Sequence, residues 1–285
     1  MVAQLMPGGP VADAVMADVT ERVAKLKAAG KTVGLATILV GDDPSSARYV
    51  AKKHEACEAA GMLSFDYRIP ADGTQAELLA LIARLNADDR VDAYLLQNPV
   101  PPGFDFNEAV TAIDPTKDGD GLHPTNLGKL ALGVVGAPRP ATPIGVQAML
   151  AHYEIPVEGR RVVIVGRGPT LGRPLSILLA LKEPHANAAV TVVHTGVKNW
   201  PDYTREADIV VGAAGVPSMI MPDVIRAGSV VIGGGMTWEG RRALSDVDES
   251  CAEVAGWITP RLGGVGVTTV AMLLRNTVTA AEQRA

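Results

Sequence analysis

The stretch RVVIVGRGPTLG, residues 161–172, decides the fold of this 285-residue chain. It begins as an apolar β-strand, turns at Gly166, Arg167 and Gly168, and leads into a helix that starts near Arg173. Glycines at such a turn let the backbone approach a pyrophosphate, and the following helix N-terminus supplies free N–H groups. The spacing is GxGxxxG, ending at Gly172, which is one residue longer than the usual dinucleotide fingerprint. A tight βα turn without a ligand therefore stays open as an alternative.

The end of the next strand indicates which dinucleotide would bind. That strand ends in Val193-His194-Thr195-Gly196, where an NAD-binding protein normally carries an Asp or Glu for the ribose 2′-hydroxyl. No carboxylate stands there to repel a 2′-phosphate, and Arg167, with Arg173 as a second candidate, can pair with that phosphate. NADP is therefore favoured over NAD. The alternative is that Arg167 is a surface residue paired with a neighbouring acid.

Strand-like apolar segments alternate with helical patterns along the whole chain, which predicts parallel α/β architecture. A Pro- and Gly-rich stretch at 133–143 interrupts the alternation and predicts the approach to a hinge between two doubly wound domains. The chain is long enough for each domain to bury its own core. The predicted strands are 33–40, 64–69, 93–96, 161–165, 189–194, 208–211 and 229–232, and the predicted helices are 49–60, 75–86, 144–153 and 267–281.

Composition argues against several classes of protein. The net charge is −5 with Lys and Arg scattered among the acids, so neither a nucleic-acid stripe nor a membrane-surface helix is expected. The two thiols, Cys57 and Cys251, lie far apart, which fits a reducing compartment, and the His residues show no metal-ligand spacing. The N-terminus has no signal-peptide pattern, and no apolar run approaches the roughly 18 residues of a membrane helix. We expect a cytoplasmic protein without a metal.

Tyr49 and Lys53 lie four residues apart, on one face of the helix predicted after Ser45 and Ser46, serine being a good N-cap. A phenol and an amine placed in this way can hold a flat heterocycle and move its protons. The alternative is a solvated lysine beside a half-buried tyrosine.

Two further segments carry candidate ligand groups. Gln97 follows the strand 93–96, and the carboxyl end of a strand is where open α/β sheets place their ligands. The loop 113–124, IDPTKDGDGLHP, concentrates acids and glycines. It lacks the run of oxygen ligands ending in Glu at the twelfth position, so a calcium loop is not favoured.

Taken together, these motifs resemble the bifunctional methylenetetrahydrofolate dehydrogenase/methenyltetrahydrofolate cyclohydrolase family. The resemblance covers nearly the whole chain. Its anchors, in order, are LVGDDPSSARYVAKKHEAC (39–57), LLQNPVP (95–101), PTKDGDGLHPTNLGKL (115–130), ATPIG (141–145), VVIVGRGPTLGRP (162–174), ADIVVGAAG (207–215) and ITPRLGGVG (258–266).

The resemblance implies roles residue by residue. Lys53 matches the catalytic lysine, Tyr49 a ring-stacking tyrosine, Gln97 the glutamine that orients the lysine, and Asp120 the aspartate that binds the pterin. Gly263 and Gly264 belong to a loop that lines the folate site. The implied cofactor-binding residues are Gly166, Arg167, Gly168, Gly172, Thr195 and Met236.

The implied activity is NADP-dependent oxidation of 5,10-methylenetetrahydrofolate, followed by hydrolysis of the methenyl product to 10-formyltetrahydrofolate. The implied architecture is a catalytic, folate-binding domain of residues 1–140 plus 268–285 and a Rossmann-like NADP-binding domain of residues 141–267. An active-site cleft between them, a last helix packed back on the first domain and a homodimer are also expected. The alternatives are a divergent paralogue with one activity or a modified one-carbon substrate, and a non-catalytic folate- or NADP-binding protein.

Several positions depart from the family pattern. Asn98 replaces an apolar residue, Gly119 a Val, and Ala141 a Cys. The usual VIDVGI is VIGGGM at 231–236, without its carboxylate, and PGGVGPMT is LGGVGVTT at 262–269, with Val267 in place of a Pro. Because glycine frees the backbone and proline restricts it, these changes predict altered loop rigidity near both ligands.

Overall fold

The structure, a computed structural model, describes residues 2–240 and 242–284. It divides into two compact units. The N-terminal unit comprises Asp13–Ala141 and Val270–Ala285, and the Rossmann unit comprises Met1–Ala12 and Thr142–Thr269. The sequence places the first residues with the N-terminal unit. The structure groups them with the Rossmann unit, because β1 (Gln4–Leu5) pairs in parallel with β11 (Trp257–Ile258).

The N-terminal unit is built on a parallel sheet of strand order β3-β2-β4 in the described part of the chain. β2 and β4 are buried along their whole lengths, as expected of parallel strands covered on both faces. The elements are α1 (Gly9–Ala28), β2 (Gly34–Val40), α2 (Pro44–Ala59), β3 (Leu63–Ile69), α3 (Gln75–Ala87), β4 (Ala93–Leu96), α4 (Phe106–Ala112) and α5 (Pro124–Ala131).

Helix α2 begins earlier than the sequence predicts. Asp43, not a serine, is the N-cap: its side chain accepts a hydrogen bond from the Ser46 backbone N–H, and Pro44 occupies the first helical turn. Proline suits that position because its φ is already helical and the missing N–H is one that no helical carbonyl would accept. The helix therefore starts one turn ahead of Tyr49, and Tyr49 lies well inside it.

The core of the N-terminal unit lies between the sheet and its helices. Ile38 on β2, Ile82 on α3 and Leu96 on β4 belong to one buried cluster with Tyr94. The Tyr94 hydroxyl donates to Asn86 Oδ1 at 2.5 Å, so its polar end is satisfied inside that core. The carboxyl ends of β2 and β4 are thus held on a rigid support.

The Rossmann unit contains a parallel sheet of six strands within the described residues, in the order β1-β11-β8-β7-β5-β6. From β5 the chain passes to β6 on one side and then to β7 on the other. Such a reversal creates a crevice at the carboxyl ends of the strands. The remaining elements are α6 (Ala141–His152), β5 (Arg161–Val165), α7 (Gly172–Ala180), β6 (Ala189–Val193), α8 (Trp200–Arg205), β7 (Ile209–Gly212), β8 (Val230–Gly233), β9 (Met236–Glu239), β10 (Arg242–Ser245) and α9 (Val265–Gln283).

The predicted α/β class and Rossmann-like sheet are confirmed, and so is the packing of the last helix on the first domain. The part of α9 beyond Thr269 belongs to the N-terminal unit. There Arg22 on α1 donates to Thr279 Oγ1 at 2.7 Å and to Glu282 Oε2 at 2.7 Å. The predicted helices at 144–153 and 267–281 begin earlier than expected, at Ala141 and Val265.

No helix in residues 2–240 and 242–284 is both long and apolar enough to cross a membrane. In the same residues, no group of three or more His, Cys, Asp or Glu side chains could hold a metal ion. Both thiols, Cys57 and Cys251, are buried and free.

Candidate active site

The first group of candidate residues surrounds Lys53 on α2. The Lys53 side chain is almost fully buried, whereas Tyr49, one turn earlier, is half-buried. Lys53 Nζ lies 4.9 Å from the centroid of the Tyr49 ring. This distance is within the range of a cation–π contact. The tyrosine ring therefore covers the amine and presents a flat surface beside it, and the solvated-lysine alternative is wrong.

Gln97, the residue after β4, fixes the position of the amine. Lys53 Nζ donates to Gln97 Oε1 at 3.1 Å, and Gln97 Nε2 donates to the Asn98 carbonyl at 2.8 Å. Because a carbonyl can only accept, the second bond settles which end of the amide is nitrogen. Oε1 must then face Lys53. An amide oxygen accepts from both –NH₂ and –NH₃⁺, so Gln97 orients the lysine without deciding its charge.

Burial and Asp120 act in opposite directions on Lys53. Desolvation lowers the pKa of Lys53, and the charge of Asp120 opposes that change. Desolvation likewise raises the pKa of Asp120, and Lys53 opposes it. Both shifts favour neutral forms over ions, since a buried charge loses its hydration. The lysine can therefore exchange a proton at a pH where an exposed lysine stays charged.

A loop laid against β4 places Asp120. The Tyr94 backbone N–H donates to the Lys117 carbonyl at 2.8 Å, and the Gly119 N–H donates to the Tyr94 carbonyl at 3.1 Å. This pairing continues the sheet beyond its edge strand. Lys117 is itself buried and donates to the Leu85 and Asp88 carbonyls at 3.0 and 2.8 Å. Residue 120 is thus brought to the same end of the sheet as Gln97.

Two residues that support this loop are missed by the sequence reasoning. Asp118 is buried and accepts from the backbone N–H groups of Leu122 and His123, at 3.1 and 2.8 Å. Asn276 on α9 donates to the Gly119 and Arg139 carbonyls, at 3.0 and 2.9 Å. Asp118 lies within the DGDG motif and could have been singled out. Asn276 is 157 residues from Gly119, and no local pattern indicates its role.

The glycine loop, residues 166–172, is closely packed against the strands. Gly166 has φ +126°, and a Cβ there would lie 2.2 Å from the Ala213 carbonyl oxygen. A Cβ on Gly172 would lie 2.3 Å from the Gly166 carbonyl oxygen, so Gly172 serves the packing of α7 on the loop. A Cβ on Gly168, by contrast, would meet nothing within 4 Å. Only glycine permits these approaches at the first and last positions.

The donor groups at this loop suit a phosphorylated ligand. The N-cap of α7, Leu171, has no side chain that caps the helix, although the Arg173 N–H donates to the Gly168 carbonyl at 3.1 Å. The positive end of the helix dipole lies at this loop and favours an anion there. Arg167 is exposed and forms no ion pair with a carboxylate in the described part of the chain. The alternative of a surface arginine paired with an acid is therefore not supported. Thr195 is exposed and lies just after the end of β6, the strand that pairs with β5.

The remaining candidates lie elsewhere in the Rossmann unit. Met236 is the first residue of β9 and is 40% exposed. Gly263 is exposed with φ +73°, and Gly264 is buried, where a Cβ would lie 2.7 Å from the Pro260 carbonyl oxygen. The structure therefore brings Tyr49, Lys53, Gln97 and Asp120 together in the N-terminal unit. It places Gly263 and Gly264 in the other unit, with the cofactor candidates.

The segment VIGGGM differs from the family pattern, and its three glycines are closely packed against neighbouring residues. A Cβ on Gly233 would lie 2.5 Å from Ser245 Oγ, and one on Gly235 would lie 2.0 Å from Asp246 Oδ2. The Gly234 and Gly235 N–H groups both donate to the Gly212 carbonyl, at 2.9 and 3.0 Å. Small residues are required here, because side chains of residues 245 and 246 occupy the space that larger residues at 233 and 235 would fill.

Three other departures are also accommodated. Asn98 has an exposed side chain, and it is its backbone carbonyl that contacts Gln97. A Cβ on Gly119 would already lie 3.1 Å from Leu273 Cδ1, so a small residue fits there. Val267 lies in the first turn of α9, where proline is tolerated but not needed.

The buried carboxylate of Asp246 is the other unusual group of the Rossmann unit. Its Oδ2 accepts from the Ala214 N–H at 2.8 Å, while Oδ1 is buried without a hydrogen-bond partner. Burial raises the pKa of Asp246. The carboxyl group ties the segment after β7 to the end of β10, next to the three glycines.

Two family models match the chain. The tetrahydrofolate dehydrogenase/cyclohydrolase catalytic domain matches residues 6–120, and the NAD(P)-binding domain of the same family matches residues 140–285. Together they cover most of the chain.

Individual relatives agree with the family models. The chain is 61% identical, over 100% of its length and 98% of the relative's, to a bifunctional protein FolD of Syntrophotalea carbinolica. A crystal structure of FolD-methylenetetrahydrofolate dehydrogenase/cyclohydrolase from Campylobacter jejuni has a TM-score of 0.93 at 39% identity, covering 99% of this chain and 100% of that one. A Trypanosoma brucei methylenetetrahydrofolate dehydrogenase-cyclohydrolase, solved with NADP cofactor and an inhibitor, has a TM-score of 0.93 at 35% identity, covering 100% and 99%.

Proposed function

The chain belongs to the tetrahydrofolate dehydrogenase/cyclohydrolase family, and on that premise we propose how its residues divide the chemistry. The protein oxidises 5,10-methylenetetrahydrofolate to 5,10-methenyltetrahydrofolate with NADP, and it hydrolyses the methenyl product to 10-formyltetrahydrofolate. The observation that carries the residue assignment is the buried Lys53, held 3.1 Å from Gln97 and coupled to Asp120.

Lys53 is the general acid–base of the hydrolysis. Water adds to the methenyl carbon and one C–N bond of the ring breaks, so the water oxygen becomes the formyl oxygen and gives up both of its protons. One proton reaches the released ring nitrogen, and the other leaves to solvent. An amine whose pKa is lowered by burial can take and return a proton at a lower pH than an exposed lysine. Gln97 keeps that amine in one orientation through both transfers. A side-chain base of this kind contributes roughly 10²–10⁴-fold.

Tyr49 and Asp120 bind the folate. The half-buried Tyr49 ring offers a stacking surface for the pterin beside the amine. Asp120 accepts hydrogen bonds from the aminopyrimidine edge, which presents N–H donors to paired carboxylate oxygens. Gly263 and Gly264 supply backbone to the folate site, since side chains at these positions are either strained or excluded.

The Rossmann unit binds the cofactor. When bound, NADP⁺ would supply the acceptor for the hydride of the methylene carbon, and the protein's own contribution is mainly alignment. Gly166, Gly168 and Gly172 allow the close approach of a pyrophosphate to the first turn of α7. Arg167 and Thr195 lie beside the end of β6, where the adenosine ribose is held in such sheets. Met236 contributes its backbone on the nicotinamide side.

These roles make residues 1–140 plus 268–285 the catalytic, folate-binding domain and residues 141–267 the NADP-binding domain, except that the strand β1 and the residues up to Ala12 go with the NADP-binding unit. We further propose that the protein acts as a homodimer in the cytoplasm. The family membership and the two free, buried thiols support this proposal. Sedimentation of the purified protein at micromolar concentration tests the dimer, and a single species of monomer mass would contradict it.

Paired assays test the function. Purified protein with 5,10-methylenetetrahydrofolate and NADP⁺ should generate methenyl absorbance, and the same protein should then remove it by hydrolysis. NAD⁺ in place of NADP⁺ should support a much lower rate. Absence of turnover in both steps at saturating substrates would contradict the assignment. Turnover in one step alone would instead identify a single-activity paralogue.

A further inference from the structure

Asp246, the first residue after β10, joins two loops at the carboxyl ends of neighbouring strands. Its side-chain Oδ2 accepts from the Ala214 N–H at 2.8 Å, in the loop after β7. Its backbone N–H donates to the Gly235 carbonyl at 3.2 Å, in the loop after β8. β7 and β8 are paired in parallel, with Gly212 opposite Gly233. One residue therefore fixes the separation of the two loops.

The loop after β7 folds around the Asp246 carboxylate as a backbone turn folds around an anion. Gly215 has φ +68°, and a glycine in this left-handed region lets successive N–H groups point into one concavity. Desolvation raises the pKa of Asp246, and the N–H groups of Ala214, Gly215 and Val216 oppose that shift. All three therefore favour the ionised carboxylate, which in turn holds the loop in one conformation.

Two glycines enclose the carboxylate from the other side. A Cβ on Gly235 would lie 2.0 Å from Oδ2 and 2.5 Å from Oδ1, and one on Gly212 would lie 2.8 Å from the Asp246 Cβ. Oδ1 is nevertheless buried without a hydrogen-bond partner among the residues that the structure describes. A buried acceptor without a partner costs stability, so its presence calls for an explanation beyond packing.

The two loops lie where a Rossmann sheet would hold the nicotinamide half of a dinucleotide. In the strand order β8-β7-β5-β6 the direction of the chain reverses between β7 and β5, and a dinucleotide spans the carboxyl ends on both sides of that point. With the adenosine half at β6, the nicotinamide half would reach the ends of β7 and β8. Asp246 is only 1% exposed and lies behind the two loops that follow these ends.

We propose that Asp246 is a positioning residue for hydride transfer, which holds the loops 213–216 and 234–235 at the separation that receives the nicotinamide ring. The proposal rests on the proposed function and goes beyond it, since Asp246 itself touches neither the cofactor nor the folate. The adenosine half of the cofactor and the hydrolysis site depend on other residues. Loss of Asp246 should therefore affect the nicotinamide half alone.

Two ligands separate the halves of the cofactor. NADP⁺ contains the nicotinamide, whereas 2′,5′-ADP contains only the adenosine half. In calorimetry with the full-length protein, Asp246→Ala should weaken NADP⁺ binding by about tenfold, as loss of a hydrogen bond to a charged group predicts, and leave 2′,5′-ADP binding unchanged. Asp246→Asn keeps an oxygen for the Ala214 N–H and should recover most of that loss. The control is Asp248→Ala, which removes a nearby carboxylate bonded to the Ser250 N–H and should leave both affinities unchanged.

The two reaction steps give a second readout. With saturating NADP⁺, Asp246→Ala should lower the dehydrogenase rate roughly 10- to 100-fold, because the nicotinamide carbon is no longer aligned with the methylene carbon. Hydrolysis of methenyltetrahydrofolate uses no nicotinamide and should keep its wild-type rate in the same variant. If Asp246→Ala does not fold, as judged by circular dichroism, Asp246→Ser is measured in its place. Its hydroxyl is too short to reach the Ala214 N–H, so the same losses are expected.

Three results would overturn the proposal. Wild-type NADP⁺ affinity and dehydrogenase rate in Asp246→Ala would remove Asp246 from the reaction. Equal weakening of NADP⁺ and 2′,5′-ADP, or slower hydrolysis in parallel, would assign Asp246 to the stability of the fold as a whole. Failure of Asp246→Asn to recover NADP⁺ binding would show that the charge matters rather than the bond to Ala214. Absence of NADP⁺ binding and of turnover in the wild-type protein would instead contradict the proposed function.

Discussion

The lysine site of the N-terminal unit and the glycine loop of the Rossmann unit differ in how their polar side chains are partnered within the protein. Around Lys53 the polar groups already have partners: the amine bonds Gln97, and Gln97 bonds the Asn98 carbonyl. Around the glycine loop, Arg167 is exposed, and its guanidinium faces the His194 ring rather than a carboxylate. One region is arranged in advance for proton transfer. The other presents an exposed cationic side chain that an anionic ligand can contact.

The largest expected effect comes from removing the amine itself. Lys53→Met should lower the rate of methenyltetrahydrofolate hydrolysis by about 1000-fold, because the general acid–base is lost while a buried side chain of similar volume remains. The rate of hydrolysis is measured as the decay of methenyl absorbance. The matched control is Lys52→Met, at an exposed neighbouring position on the same helix, which should hydrolyse at the wild-type rate. Equal rates for the two variants would remove Lys53 from the chemistry.

The next effect tests the packing of the glycine loop. Gly166→Ala should lower the free energy of unfolding by about 3 kcal/mol, since the methyl group meets the Ala213 carbonyl and the backbone φ of +126° disfavours a side chain. Gly168→Ala in the same loop, where a Cβ meets nothing within 4 Å, should change it by less than about 1 kcal/mol. Urea unfolding of both variants measures the difference. Similar losses at the two positions would contradict the packing described for Gly166.

The pH dependence of hydrolysis tests the coupling of Lys53 with Asp120. Asp120 raises the pKa of Lys53 against the effect of burial, so Asp120→Asn should lower that pKa further. The neutral amine then forms at lower pH, and the limb of the kcat–pH profile that rises with deprotonation of Lys53 should move to lower pH. Asp66→Asn, at an exposed position on β3, is the control and should leave the limb in place. A shift to higher pH in Asp120→Asn would contradict the assigned coupling.

The smallest expected effect is the reactivity of the two thiols in the native protein, one thiol in each unit. Burial raises the pKa of Cys57 to about 12 and that of Cys251 to about 11, so almost no thiolate is present near neutral pH. Iodoacetamide should therefore modify neither residue in the native protein, whereas both should react in urea. Mass spectrometry of the alkylated peptides distinguishes the two positions. Rapid native modification of Cys57 alone would show that the lysine site opens more readily than its hydrogen bonds indicate.

Much of the fold could be predicted from the sequence because it depends on local periodicity. The strands 161–165 and 93–96 have the same bounds in the structure as in the sequence pattern. The first residue of a helix was less predictable where it depends on a capping side chain. Asp43 caps α2 in place of the expected serines, because its carboxylate reaches the Ser46 N–H and Pro44 can enter the first turn.

The candidate site was predictable to the extent that its residues stand in motifs. Tyr49, Lys53, Gln97 and Asp120 each lie in a segment that the sequence singles out, and the structure brings them together. Asn276 stands in no such motif, since its role depends on α9 reaching the loop at Gly119. The meaning of the three glycines at 233–235 depends likewise on Ser245 and Asp246, which occupy the space beside them.

The sequence by itself determined the α/β architecture, the glycine turn, the family and the identity of the reacting groups, because each of these is recorded in spacing along the chain. Only the tertiary structure decided how those groups behave. Burial lowers the pKa of Lys53, the Asn98 carbonyl turns the Gln97 amide, and the pairing of β5 with β6 sets Arg167 against His194. These are effects of proximity and desolvation between residues distant in the chain, which no local pattern contains.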